Sequence, residues 1–224
     1  MNTRMTLTPP VARRITQDWA REFPGLGIYK PRWLLRRAGP LLVGICLDKG
    51  GSDEAYLPCF HVHFLGREFP CVSLTLLTAL RSGHSGGPRG IPVRWHDGQY
   101  KDAATALSRQ APLPLDGDLP LRQVLRAYRN YAATPLGQVE PVLLYRDAIL
   151  LTAWAGRPRQ ACWFLRACLW HGFDEARFLR VGGRDAFETD CRRLIVQPAL
   201  IHQTVQAQIA KLGLERLPAS QLLP

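Results

Sequence analysis

The hydrophobic period of the chain changes twice. Behind Thr8, Pro9 and Pro10, the residues Val11, Ile15 and Trp19 recur at helical spacing until FPGLG stops the run, which predicts a short N-terminal helix with one apolar and one basic face. From residue 39 to residue 98 the period shortens. GPLLVGICLD (39–48), YLPCFHVHFL (56–65), FPCVSLTLL (69–77) and GIPVRWHDG (90–98) are short and rich in β-branched and aromatic residues, with turn formers such as KGGSDE and GRE between them. Such connections are too short for parallel crossovers and predict a four-stranded antiparallel meander. In its second strand Phe60, Val62 and Phe64 share one face, while Cys59, His61 and His63 share the other, expected to be the more polar.

Beyond residue 100 the pattern is helical. DAATALSRQ makes a short helix, and PLPLDGDLP is a linker in which Asp118 caps the next helix with Pro120 near its first turn. That helix, LRQVLRAYRNYAA, turns Leu121, Val124, Leu125 and Tyr128 inward and Arg122, Arg126 and Arg129 outward. VLLYRDAILLTAWAG and RQACWFLRACLWHG are apolar around most of their circumference and join at Gly156-Arg157-Pro158, predicting a helical hairpin. The phrase AWAGRPRQACWFLRACL resembles one unit of a tetratricopeptide repeat, with no second copy at a fixed period. RDAFETDCRRLI and ALIHQTVQAQIAKLGL complete the helices, the last with a narrow seam of Ile201, Val205, Ile209 and Leu212 suited to docking on a surface. The expected fold is therefore α+β. It comprises a basic N-terminal helix and arm (1–38), an antiparallel sheet (39–98) and a helical part (99–224) packed on that sheet, forming one domain.

Charge changes the picture more than composition does. The chain carries 29 basic against 18 acidic residues, a net charge of +11, and 25 of the 29 are arginine. Abundant Arg, Ala, Pro, Leu and Gly is also what a GC-rich bacterial genome favours. The excess is nonetheless uneven: residues 1–40 hold Arg4, Arg13, Arg14, Arg21, Lys30, Arg32, Arg36 and Arg37 against only Asp18 and Glu22. Such a field attracts an acidic partner. The start, MNTRMTLTPPVARR, has no apolar core of signal-peptide length. The longest apolar stretch, PVLLYRDAILLTAWAG, is interrupted by Arg146 and Asp147, so a soluble cytoplasmic protein with no membrane partner is expected. The six cysteines form no CxxC and sit mostly in apolar runs, where a reduced thiol behaves as a small hydrophobe; neither a disulfide framework nor structural zinc is expected.

Three stretches could carry chemistry. GHSGGP around Ser85 matches G-x-S-x-G and resembles the GDSGGP of chymotrypsin-like serine proteases, which implies Ser85 as a nucleophile. The residues around it argue otherwise: PRGIPV follows, which does not start a helix, and His84 stands where the protease motif has Asp. The stretch reads as a Gly-rich loop between strands. His61 and His63, alternate on one strand, could share a metal with Cys59, or with Asp48 at the end of the neighbouring strand; the competing reading is two structural histidines. Residues 29–37 combine Tyr29, Lys30, Arg32, Trp33, Arg36 and Arg37, a mixture suited to stacking and phosphate contact or to an interface hot spot, and Arg122, Arg126 and Arg129 add a second basic stripe.

Phosphate-binding loops, HExxH and recognised nucleic-acid modules are missing from the sequence, and no cofactor is expected. The reading is a non-catalytic binding protein, a regulator, inhibitor or adaptor that contacts an acidic macromolecule, with a protein favoured. A nucleic-acid-binding protein is the alternative, and a serine hydrolase using Ser85 the third.

Overall fold

A computed structural model describes residues 5–49, 51, 53–73, 75–83 and 86–224. The protein is α+β, with an antiparallel meander in its N-terminal half and helices in its C-terminal half. The chain divides into two units: one holds residues up to His63, Ser73–Leu119 and Leu214–Gln221, the other Phe64–Val72, Pro120–Gly213 and Leu222–Pro224.

In the first unit, α1 (Pro9–Glu22) starts on a proline whose missing N–H is not needed in a first turn, and it buries Ala12, Ile15, Thr16 and Trp19 along one face. The sheet runs β1 (Gly27–Lys30), β2 (Trp33–Ala38), β3 (Leu41–Asp48), β4 (Ala55–Phe64) and β5 (Thr75–Ala79) in sequence order. β6 (Ile91–Pro92) pairs with the start of β4. The sheet thus begins at Gly27, and the expected basic arm is a hairpin. Its strand character was hidden because Arg36 occupies an inward-facing position, beside Leu34 on one face, and so breaks the apolar alternation.

The turn of that hairpin is fixed from outside. Arg32 sits at φ 72°, where its backbone N–H is accepted by Thr16 Oγ1 of α1 at 2.7 Å. Between β2 and β3 the register leaves no room for a side chain at Gly44, because a Cβ there would fall 2.0 Å from the Leu34 carbonyl oxygen.

Two of the expected strands are corrected. Residues 69–73 are irregular around Pro70, which cannot donate to a ladder, and the strand starts at Thr75. GIPVRWHDG is a strand only at Ile91–Pro92; a 3-10 turn (Val93–Trp95) then leads into α2 (His96–Gln110), whose inward positions His96, Ala103, Ala104 and Leu107 already follow the helical period. The face of β4 with Cys59, His61 and His63, expected to be the more polar, is buried like the other: β3 is buried from Leu41 to Leu47 and β4 from Pro58 to Phe64. After β7 (Leu119–Pro120) and the helices, β8 (Ala219–Ser220) returns to pair parallel with β2 at Arg37 and Ala38.

The second unit holds α3 (Leu121–Ala132), α4 (Pro141–Trp154), α5 (Pro158–Trp170), a 3-10 segment (Glu175–Val181), α6 (Arg184–Val196) and α7 (Pro198–Leu212). α4 is apolar around most of its circumference and packs against α3, α5, α6 and α7, which makes it the core of this unit. Its hairpin with α5 turns at Gly156 (φ 71°), followed by Pro158 in the first turn of α5. One charge lies inside: Asp147, 1% exposed, faces Arg67 with Nε–Oδ1 at 2.7 Å, and the Tyr128 hydroxyl lies 3.5 Å from its Oδ2. Burial pushes the Asp147 carboxyl above the ordinary carboxylate range, against the pull of Arg67.

A candidate acidic-segment groove

The basic and aromatic residues of the first 40 do not make one continuous surface. Arg36 is 2% exposed and donates from Nη1 to the Gly117 carbonyl (2.8 Å) and Ser220 Oγ, and from Nη2 to the carbonyls of Pro114 (3.0 Å) and Asp116 (3.2 Å). It is a structural arginine. This corrects its expected place on an exposed interface: a guanidinium so engaged has no fork to offer a partner. Arg32 reaches back to the Leu47 carbonyl, and Arg37 is half-buried where β2 meets β8. Lys30 is exposed but lies over the rings of Tyr29 (5.7 Å) and Trp33 (4.6 Å), covering the faces on which a base would stack.

The histidines of β4 are both fully buried. His63 Nδ1 accepts from the Ser73 backbone N–H (3.1 Å) and pairs with Ser73 Oγ (2.8 Å), while Cys59 Sγ turns to the Leu57 carbonyl. His61 packs against the Trp33 ring at 5.0 Å, and among the described residues neither of its nitrogens has a hydrogen-bond partner. His61, His63 and Cys59 do not converge on a common point within metal-ligand distances. Ser85 and His84 lie outside the described residues.

Burial lowers the His61 pKa to about 3. The unfolded chain protonates this group near 6.5, so the stability that its neutral burial allows is complete above that pH and is lost as pH falls toward 3. At pH 5 the loss is about 2 kcal/mol. Urea titrations at pH 7.5 and 5 should show it, and a His61→Leu variant should show a correspondingly flatter dependence. An equal slope in the variant would assign the acid sensitivity elsewhere.

One group of metal-ligand type does come together: atoms of Asp18, His96 and Asp97 lie within 4.8 Å of one another. It is closed without an ion. The Asp18 carboxylate only accepts, so the His96 proton sits on Nε2 facing Asp18 Oδ2 (3.1 Å) and Nδ1 accepts from the Tyr56 hydroxyl (2.7 Å), whose oxygen in turn accepts from Trp19 Nε1 (3.1 Å). Arg21 pairs with Asp18 and Arg14 with Asp97. Both nitrogens and both carboxylates thus already have partners.

The predicted arginine stripe is what the structure places at a cavity. Arg122, Arg126 and Arg129 are exposed along α3 and line a groove of about 730 Å³ whose other walls come from α4 and α5. Leu125, Leu144, Ala148 and Phe164 give it an apolar lining, Tyr145 and Trp163 add aromatic surface, and no lining residue is acidic. The buried carboxylate of Asp147 in α4 is paired with Arg67 and does not offset the three cations. Among the described residues no ion pair engages any of the three.

Sequence reading missed the opposite wall. It is made by Gln160, Trp163 and Phe164 of α5. Trp163 also belongs to a face on which Arg159, Trp163, Arg166 and Trp170 recur at i, i+4, i+7 and i+11, all four exposed, though only Trp163 of them lines the groove. The dense apolar residues on the rest of α5 masked that stripe. Chemically the groove offers guanidinium forks for carboxylate or phosphate beside a surface that takes aliphatic groups. Compared with protein families, with characterised proteins and with solved structures, the chain matches none.

Proposed function

We propose that this protein is a non-catalytic binding protein of the cytoplasm that regulates, inhibits or adapts a partner protein by receiving an acidic segment of that partner in the groove between α3 and α5. The observation that carries the reading is the groove itself, where three exposed arginines rim a largely apolar lining that contains no acidic residue. Its aliphatic lining favours a protein: Leu125, Leu144 and Ala148 match apolar side chains, whereas a nucleic-acid strand is best served by uncovered aromatic faces and a continuous basic track. All six thiols are free, which suits a reducing compartment, and among the described residues no helix is long and apolar enough to cross a membrane.

Nucleic acid is the second reading, favoured by one observation, the alternation of cations and exposed tryptophans along α5. The test is fluorescence anisotropy with a labelled Glu-rich peptide and a labelled single-stranded oligonucleotide, titrated across salt. The peptide is expected to bind, and the combined Arg122→Glu, Arg126→Glu, Arg129→Glu variant to weaken it on the order of 100-fold, since like charges across an interface cost several kcal/mol. Reversal of Arg13, Arg94 and Arg109, exposed elsewhere, should change it little. Oligonucleotide binding that survives physiological salt, with a steep log–log salt slope, would replace the leading reading by the second.

A further inference from the structure

The groove also constrains the conformation of what enters it. Its walls are helices, and the backbone N–H and C=O groups of α3, α4 and α5 are committed within those helices except at their ends. An extended peptide adds to a sheet edge because the edge returns its main-chain hydrogen bonds; this groove has side chains only. A segment pressed onto its apolar lining gains no main-chain partner there, which favours an α-helix because it satisfies its own backbone.

The lining fits such an occupant. α4 packs against both α3 and α5, and its lining residues Leu144 and Ala148 are buried, as a groove's floor is. The small residues Ala148 on α4 and Ala132 on α3 allow another helix to approach to the 8–10 Å typical of packed helices. The cations have helical spacing of their own: Arg122, Arg126 and Arg129 fall at i, i+4 and i+7 and span about 10.5 Å along α3. On the far wall Trp163, 63% exposed, offers the large amphipathic anchor that interfaces use most.

Resting on the function proposed above, we infer that the partner's segment is an amphipathic α-helix of about three turns. It carries carboxylates at i, i+4 and i+7 along the edge that meets Arg122, Arg126 and Arg129, and aliphatic side chains along the adjacent face over Leu144 and Ala148. The three arginines fix its register, and Trp163 closes over its apolar stripe.

The experiment uses the full chain and three labelled peptides: a 15-residue peptide with Glu and Leu in this pattern, the same residues permuted to remove the helical period, and the patterned peptide with a central proline. The patterned peptide should bind at least tenfold more tightly than either of the others and gain helical circular dichroism on binding. That gain should be lost in the triple Arg→Glu variant and reduced in Trp163→Ala, both at exposed positions whose melting curves check folding. Equal affinity of the patterned and permuted peptides would overturn the helical inference while leaving an acidic partner standing. Failure of all three to bind would overturn both.

Discussion

Replacing Arg36 by methionine is expected to lower the unfolding free energy by about 3–5 kcal/mol. The methionine fills similar space, so the loss is not a cavity. It is the loss of the donor for four oxygens: the carbonyls of Pro114, Asp116 and Gly117 and the hydroxyl of Ser220. Each acceptor left dry costs about 1–3 kcal/mol, and water reaching the space would offset part of that. The guanidinium is held in place by the convergence of those acceptors, with Asp116 and Asp118 supporting its charge against the burial that lowers its pKa. Arg36→Lys should lose less but not recover the wild-type value, because one ammonium does not reproduce a planar fork. Urea unfolding with the m-value checked is the measurement; a loss below about 1 kcal/mol for methionine would mean that the 114–118 loop is not held by this residue.

The second large effect is expected in the helical unit. Asp147→Ala leaves the Arg67 guanidinium, only 12% exposed, without its counter-charge and should cost about 3–5 kcal/mol. Arg67 would keep its position over the Phe69 ring at 4.7 Å, but a cation–π contact does not replace a carboxylate. The double variant Arg67→Met, Asp147→Leu removes both charges and is expected to recover most of the loss, since a buried pair is worth little against well-packed apolar residues of similar volume. A double-mutant cycle by thermal or urea unfolding separates the two contributions. If the double variant were as unstable as Asp147→Ala, packing around α4 rather than the unpaired charge would be the cause.

What could be read in the sequence, and what could not, follows from the same physics. α1, the strands at 41–48 and 55–64, and the α4–α5 hairpin were visible because runs such as LLVGICL and AILLTAW have one local explanation. β1 and β2 were not, because an inward arginine reads as a surface residue until the four acceptors that hold it are known. Three of those lie some 80 residues away and the fourth 184. The start of α2 was mistaken for a strand because Ile91, Val93 and Trp95 alternate in type, although Trp95 is half exposed and the buried period begins at His96. The arginine stripe of α3 was legible as a pattern, and its significance was not: the opposite wall comes from α5, and a groove between helices leaves no contiguous trace in the chain.

The return of β8 to β2 has a consequence for how the protein is made. Arg36 and Ser220 are 184 residues apart, and at about 5–20 residues per second a ribosome takes on the order of 10–40 s to cover that distance. For that time the nascent sheet carries an unfinished stretch at Arg37 and Ala38, and the last of the four acceptors of Arg36 is still untranslated. The α3–α7 region, whose sequence contacts are mostly between neighbouring helices, emerges meanwhile and can fold ahead of the segment that preceded it. The end of β2 at Arg37 and Ala38 thus offers unpaired backbone groups until β8 arrives, the kind of open edge on which a nascent chain is exposed to wrong pairing.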